Sequence, residues 1–203
     1  MQNKRLRDRK EFKKEIYKTY HIFCWGEKTE KLYFEWMRSD YRNNNLKIKV
    51  FSQWKAWINI KRYLEKNIPT EKDENNIYAL VLDRDPGNNT KKQFEEILNF
   101  CIKNRITLII SNKCFELRYI LHFKNFFQEV SSVKDYMKAL DKLLWYKYSK
   151  KTWMYEELKP LQNEAIKNAK TIKKRHEEFD FIKSEPYTNV YELIEIIENN
   201  FKR

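Results

Sequence analysis

The sequence predicts an α/β protein: a four-strand, mainly parallel sheet flanked by helices, then a C-terminal helical extension. Between residues 20 and 123, short β-rich runs alternate with stretches of helical periodicity, the pattern of parallel strands joined by helices. Beyond residue 123 no strong strand signal recurs. A hydrophobic fraction of 41% over 203 residues is ample for one packed core and excludes a disordered chain.

The predicted strands are His21–Trp25, Leu46–Ser52, Ile77–Asp83 and Thr107–Ser111. Between them, Thr29–Arg38 places Leu32, Phe34 and Trp36 at helical spacing, Lys55–Lys66 does so with Trp57, Ile60 and Leu64, and Thr90–Lys103 with Phe94, Ile97 and Cys101. The order is β-α-β-α-β-α-β. Helices are then expected over Phe115–Phe123, Ser132–Tyr148, Met154–Glu178 and Thr188–Phe201, the last preceded by Pro186. Three regions follow: a basic arm at 1–19, an α/β core at 20–123 and a helical extension at 124–203. The expected arm is a mobile segment or a frayed helix; a functional arm would add phosphate contacts, and the alternative is a solubilising tail.

Lys and Arg number 42 against 29 Asp and Glu, a formal charge of +13, which favours a polyanionic partner such as nucleic acid. No apolar run approaches the roughly 18 residues that span a bilayer. Three cysteines, Cys24, Cys101 and Cys114, form no CxxC pair, against a disulfide framework or a structural zinc site. With no export signal, the expected location is the cytoplasm.

In an open parallel sheet, ligands bind outside the carboxyl ends of the strands. The first predicted strand ends in Gly26-Glu27-Lys28-Thr29-Glu30, where Gly26 permits a tight turn presenting Glu27. The third ends in Asp83-Arg84-Asp85-Pro86-Gly87, and Asp83 and Asp85 could share one face about 7 Å apart. Such carboxylates suit Mg²⁺ or Mn²⁺ completed by phosphate oxygens; the alternative is a turn or helix-capping acidic pair. Glu116, just after the fourth strand, could be a second-metal ligand or a general base, or simply answer the helix dipole. Ser111 and Asn112 lie at the same edge, as phosphate contacts or as a cap.

Lys28 could neutralise a phosphate, and Lys150 or Lys151, from the helical extension, could stabilise transition-state charge. Lys167, Lys170 and Lys174 form a stripe that could follow a phosphate backbone, or an ordinary solvated face. Trp145, Tyr146, Tyr148, Trp153 and Tyr155 interleave with lysines as base-stacking platforms do, although such clusters are often core. His122, among Ile120, Leu121 and Phe123, reads as a core residue more than an acid.

The run Cys24-Trp25-Gly26-Glu27-Lys28-Thr29-Glu30-Lys31-Leu32-Tyr33-Phe34 resembles the "CEGEKTEPNYF" opening of the RloB-like family, and Leu82-Asp83-Arg84-Asp85 its "DRD" strand end. The segment from Ile110 to Phe123 looks like the family's "SNPCFELWLLLHF". Tyr148 and Lys150, Ala165 and Ala169, and Pro186 to Val190 fit its "YxK", spaced-Ala and "NPxTxV" features. Departures are Trp25 for Glu, Lys113 for Pro and Arg118 for Trp; Glu27 is taken as the Toprim-equivalent glutamate, so Trp25 removes no essential ligand. The resemblance implies a Toprim-like core and a metal-dependent nuclease of RNA or DNA in anti-phage defence of the AbiL or abortive-infection type. Glu27, Asp83 and Asp85 would bind Mg²⁺ or Mn²⁺, and the partner would be an AAA-type ATPase related to the RloA component. The alternative is a Toprim-like module that binds nucleic acid or that ATPase without cutting. A DxD phosphatase would carry its DxD on the first strand, not the third.

Overall fold

The computed structural model describes residues 18–41, 47–52, 59–71, 73–84, 90–130, 132–152, 154–176, 178, 180 and 183–201. Five strands form one sheet: β1 (Thr19–Cys24), β2 (Lys47–Ser52), β3 (Asn76–Asp83), β4 (Ile106–Asn112) and β5 (Tyr187–Thr188). Their order is β2-β1-β3-β4-β5. The first four are parallel, with Cys24 opposite Ser52 on one side and Val81 on the other, and Asp83 opposite Ser111. The fifth was not expected. It runs antiparallel to β4 at the edge, pairing Thr188 with Ser111 and Tyr187 with Asn112.

Strand alternation sorts the core into two layers. Tyr20, Ile22, Cys24, Ala79, Val81 and Ile109 face α1 (Thr29–Tyr41) and the helices that follow β4, while Phe23, Leu80, Leu82 and Ile110 face α2 (Ile60–Asn67) and α3 (Lys91–Lys103). The same alternation puts Asp83 and Ser111 on the α1 side, past the last apolar pair. Thr90 starts α3 with a capping box, its backbone N–H donating to Gln93 Oε1 at 3.0 Å.

The C-terminal half comprises α4 (Glu116–Phe123), α5 (Val133–Leu143), α6 (Tyr155–Leu158), α7 (Gln162–Lys173) and α8 (Val190–Phe201), all contributing to the first layer. The helix expected over 132–148 stops at Leu143, because Asp141 Oδ1 accepts the Tyr148 N–H at 2.7 Å and folds the chain back. The one expected from Met154 is interrupted by a 3₁₀ turn at Lys159–Leu161, which contains Pro160. Fully buried Ala165 and Ala169 let α7 approach α4, and Asn168 donates to the Leu121 carbonyl at 2.8 Å. Asn189 accounts for part of the late motif: its side chain accepts from Ile110 N–H at 2.7 Å and donates to the Leu108 carbonyl at 3.1 Å, extending the β4 ladder.

Candidate active site

The chain leaves β1 toward β2 on one side and returns to place β3 on the other. The carboxyl ends of β1 and β3 therefore flank a topological switch point, where α/β sheets open a crevice. A cleft of about 580 Å³ lies there. Gly26, Glu30, Asp83, Lys113, Cys114 and Lys150 are among its lining residues.

Three buried carboxylates from three elements influence one another electrostatically here, and two of them, Glu30 and Asp83, line the cleft. Asp83 ends β3; burial pushes its pKa well up, and Glu30 and Glu116 push it further, partly opposed by a hydrogen bond from the Phe115 N–H. Glu30 lies in the first turn of α1 and is only 4% exposed. Burial raises its pKa to about 7, while the backbone N–H groups of Glu30 and Gly26 donate to the carboxylate and hold it lower than burial alone would. Glu116 lies in the first turn of α4 and is fully buried. Both glutamates thus occupy helix N-termini, where the dipole favours negative charge.

Glu116 Oε1 accepts from Thr29 Oγ1 at 3.0 Å and from the Tyr148 hydroxyl at 3.2 Å, and Lys150 Nζ lies 3.7 Å away. The Tyr-x-Lys spacing of 148–150 therefore brings a hydroxyl and an ammonium to one oxygen. Burial pulls the Lys150 pKa down, but Glu116, Asp83, Cys114 and Glu30 together raise it past its ordinary value. By contrast, Glu116 Oε2 and Asp83 Oδ1 are buried with no hydrogen-bond partner among the described residues. Burial, with neighbouring carboxylates, holds the pKa values of the Cys24 and Cys114 thiols well above their usual range.

Against expectation, Glu27 is exposed at the cleft mouth, beside exposed Lys28, and the carboxylate that turns inward is Glu30. Gly26 matters for space rather than for backbone conformation: its φ is not positive, but a Cβ there would collide with the Glu30 carboxylate. A glycine four residues before a first-turn glutamate was the available sign. Asp85, Pro86 and Gly87 lie outside the described residues, as do residues 1–17 of the expected arm and Trp153.

Ser111 and Asn112 are fully buried, and neither lines the cleft. Ser111 Oγ meets Thr188 Oγ1 at 3.1 Å, and Asn112 donates to the Ser184 carbonyl and accepts from Arg84 Nη1 at 3.3 Å, so both hold the closing segment. Glu185 in that segment pairs with Lys113 at 3.1 Å and Arg84 at 3.8 Å along the cleft wall. Lys151 is exposed. On α7, Lys170 pairs with Glu195 at 2.6 Å and Lys173 with Glu192 at 2.7 Å, both on α8; Lys167 pairs with Glu164 at 3.5 Å, Lys174 is exposed, and none lines the cleft. His122 is a core residue, hydrogen-bonded to the Arg118 carbonyl at 2.9 Å and Gln162 Oε1 at 3.0 Å.

Among the described residues, no group of three or more His, Cys, Asp or Glu side chains is set as a metal shell, and no helix is long and apolar enough to cross a membrane. A protein-family model described as RloB-like protein matches residues 20–197. No curated protein and no solved structure matches the chain.

Proposed function

We propose, for a chain that belongs to the RloB-like family, that the cleft is the active site of a divalent-metal-dependent, Toprim-like nuclease of RNA or DNA serving anti-phage defence. The observation that carries this is that Asp83 Oδ1 and Glu116 Oε2 are buried without a hydrogen-bond partner among the described residues, with Glu30, Asp83 and Glu116 near enough to raise one another's pKa values. Like charges in a low-dielectric site are costly unless a cation joins them, and hard oxygen donors suit Mg²⁺ or Mn²⁺. Asp83 and Glu116 would hold the ion through those two oxygens, with Glu30 beside them. When bound, it supplies Lewis-acid polarisation of a phosphoryl group and a lowered pKa for an attacking water.

The chain's own residues do the rest. Thr29 and Tyr148 fix the Glu116 carboxylate, and Lys150 carries the positive charge that answers negative charge developing on a leaving oxygen. Lys28 and Arg84 line the cleft, where they can orient backbone phosphates. The expected ligand role of Glu27 passes to Glu30 in this reading. The AAA-type ATPase partner is carried over from the family resemblance.

Calorimetric titration of Mn²⁺ into wild type, Asp83→Asn and Glu116→Gln tests the metal assignment without activity. The expected result is saturable binding to wild type, weakened at least about tenfold in either variant, since each loses a charged ligand. Equal binding by all three chains would refute it. The competing reading, a binding module that does not cut, is favoured by the lack of a ready three-ligand shell among the described residues. It predicts nucleic-acid binding that is indifferent to metal.

A further inference from the structure

Trp145 is the most exposed large hydrophobic residue described, at 102% relative accessibility. An indole left wholly in water forgoes the burial that drives folding, and the segment carrying it is tied down at several points. Tyr146, 38% exposed, donates its hydroxyl to the Glu157 carboxylate at 2.9 Å; Tyr148 N–H is held by Asp141; Ser149 and Thr152 close a turn, with Thr152 N–H donating to the Ser149 carbonyl at 2.9 Å. The two rings are thus presented on an ordered support.

The segment also reaches the cleft. Tyr148, three residues after Trp145, bonds to Glu116, and Lys150 lines the cleft wall. At 3.8 Å between successive Cα atoms, Trp145 lies within about 11 Å of Tyr148 along the chain. Lys147 and Lys151 on the same segment are exposed. Tyr148 and Tyr155, which the sequence grouped with Trp145, are buried in the core and play no part.

We infer that Trp145 and Tyr146, with Lys147 and Lys151, form a stacking platform for single-stranded nucleic acid at the cleft rim, feeding the strand toward the carboxylates. A flat aromatic face beside lysines is the chemistry of sequence-tolerant single-strand binding, and the +13 charge of the chain suits the same partner. The inference rests on the reading of the cleft as a nucleic-acid site. It adds the strandedness of the substrate and the surface that receives it.

The test is fluorescence anisotropy of labelled 20-nucleotide single-stranded DNA and RNA, in EDTA, with the full chain. Trp145→Ala is expected to weaken binding roughly tenfold, as loss of one stacked base does, and Trp145→Phe to restore most of it. Lys147→Gln with Lys151→Gln should flatten the slope of log K against log salt by about 1.4, two single-strand phosphate contacts. Equal affinity of wild type and Trp145→Ala overturns the inference, as does failure of wild type to bind single strands. The cleavage reading is judged separately. A chain that binds through Trp145 without cutting refutes that reading alone; one that cuts yet binds equally without Trp145 refutes this inference alone.

Discussion

Removing the two hydroxyls that fix Glu116 tests how the site is built. Thr29→Val and Tyr148→Phe are nearly isosteric and delete donors at 3.0 and 3.2 Å from one buried carboxylate oxygen. A hydrogen bond to a charged group contributes about 1.5–3 kcal/mol, so each single change should cost about that much. The double variant leaves Oε1 with Lys150 at 3.7 Å, a partner 42% exposed and so partly screened by solvent. It should cost at least the sum of the two, about 3–6 kcal/mol, because the last removal leaves a desolvated carboxylate with only a distant ammonium. The assay is urea unfolding of the four chains of the cycle, repeated in a Glu116→Gln background. There the acceptor is neutral, and each hydroxyl should be worth only about 0.5–1.5 kcal/mol. Single variants within 0.5 kcal/mol of wild type, or equal costs in both backgrounds, would refute the claim that a charged Glu116 is held by these donors.

Arg118 is fully buried; among the described residues its Nε and Nη1 have no partner, and Nη2 donates to the Tyr33 hydroxyl at 3.3 Å. Since a buried charge without a carboxylate costs more than it returns, Arg118→Met should stabilise the fold by about 1–4 kcal/mol in urea unfolding; a loss of stability would contradict this. Burial, aided by Arg118, holds the His122 pKa at about 3, below its unfolded value near 6.5. Its stabilisation is therefore complete above pH 6.5 and lost as the pH falls toward 3, amounting to about 2 kcal/mol between pH 7.5 and 5. In a pH series of unfolding curves this component should vanish in His122→Gln, and identical profiles for the two chains would exclude it. Replacing Lys167, Lys170 and Lys174 together should leave the salt slope of nucleic-acid binding nearly unchanged, since Lys170 is engaged by Glu195 and none lines the cleft; a clear flattening would return the stripe to the interface.

The four parallel strands were legible because alternation survives burial on both faces: Ile22 and Cys24 belong to one layer and Phe23 to the other. The strand ends named from the same pattern open a cleft lined by Asp83 and Lys150, and Lys150 lies 3.7 Å from Glu116. The choice between Glu27 and Glu30 was not legible. The two glutamates are three residues apart, and what marks Glu30, the space over Gly26 and the Gly26 and Glu30 N–H groups at its carboxylate, exists only in the folded turn. Ser111 and Asn112 were misleading for another reason: their partners, Thr188 and Ser184, lie more than 70 residues away, and so did the signal for the fifth strand. Lys170 and Lys173 likewise find their acids on α8, a helix that periodicity cannot dock.

The central claim is that Asp83 and Glu116 hold a divalent ion for phosphodiester cleavage. Its most direct test is Mg²⁺- and Mn²⁺-dependent cleavage of tRNA, single-stranded RNA and plasmid DNA by wild type and Asp83→Ala, with and without the proposed AAA-type ATPase. Metal-dependent cutting of at least one substrate by wild type and none by the variant, with both chains folded by circular dichroism, is the expected result. Equal cutting by the two chains, or metal-indifferent binding without cutting in every combination, would contradict it.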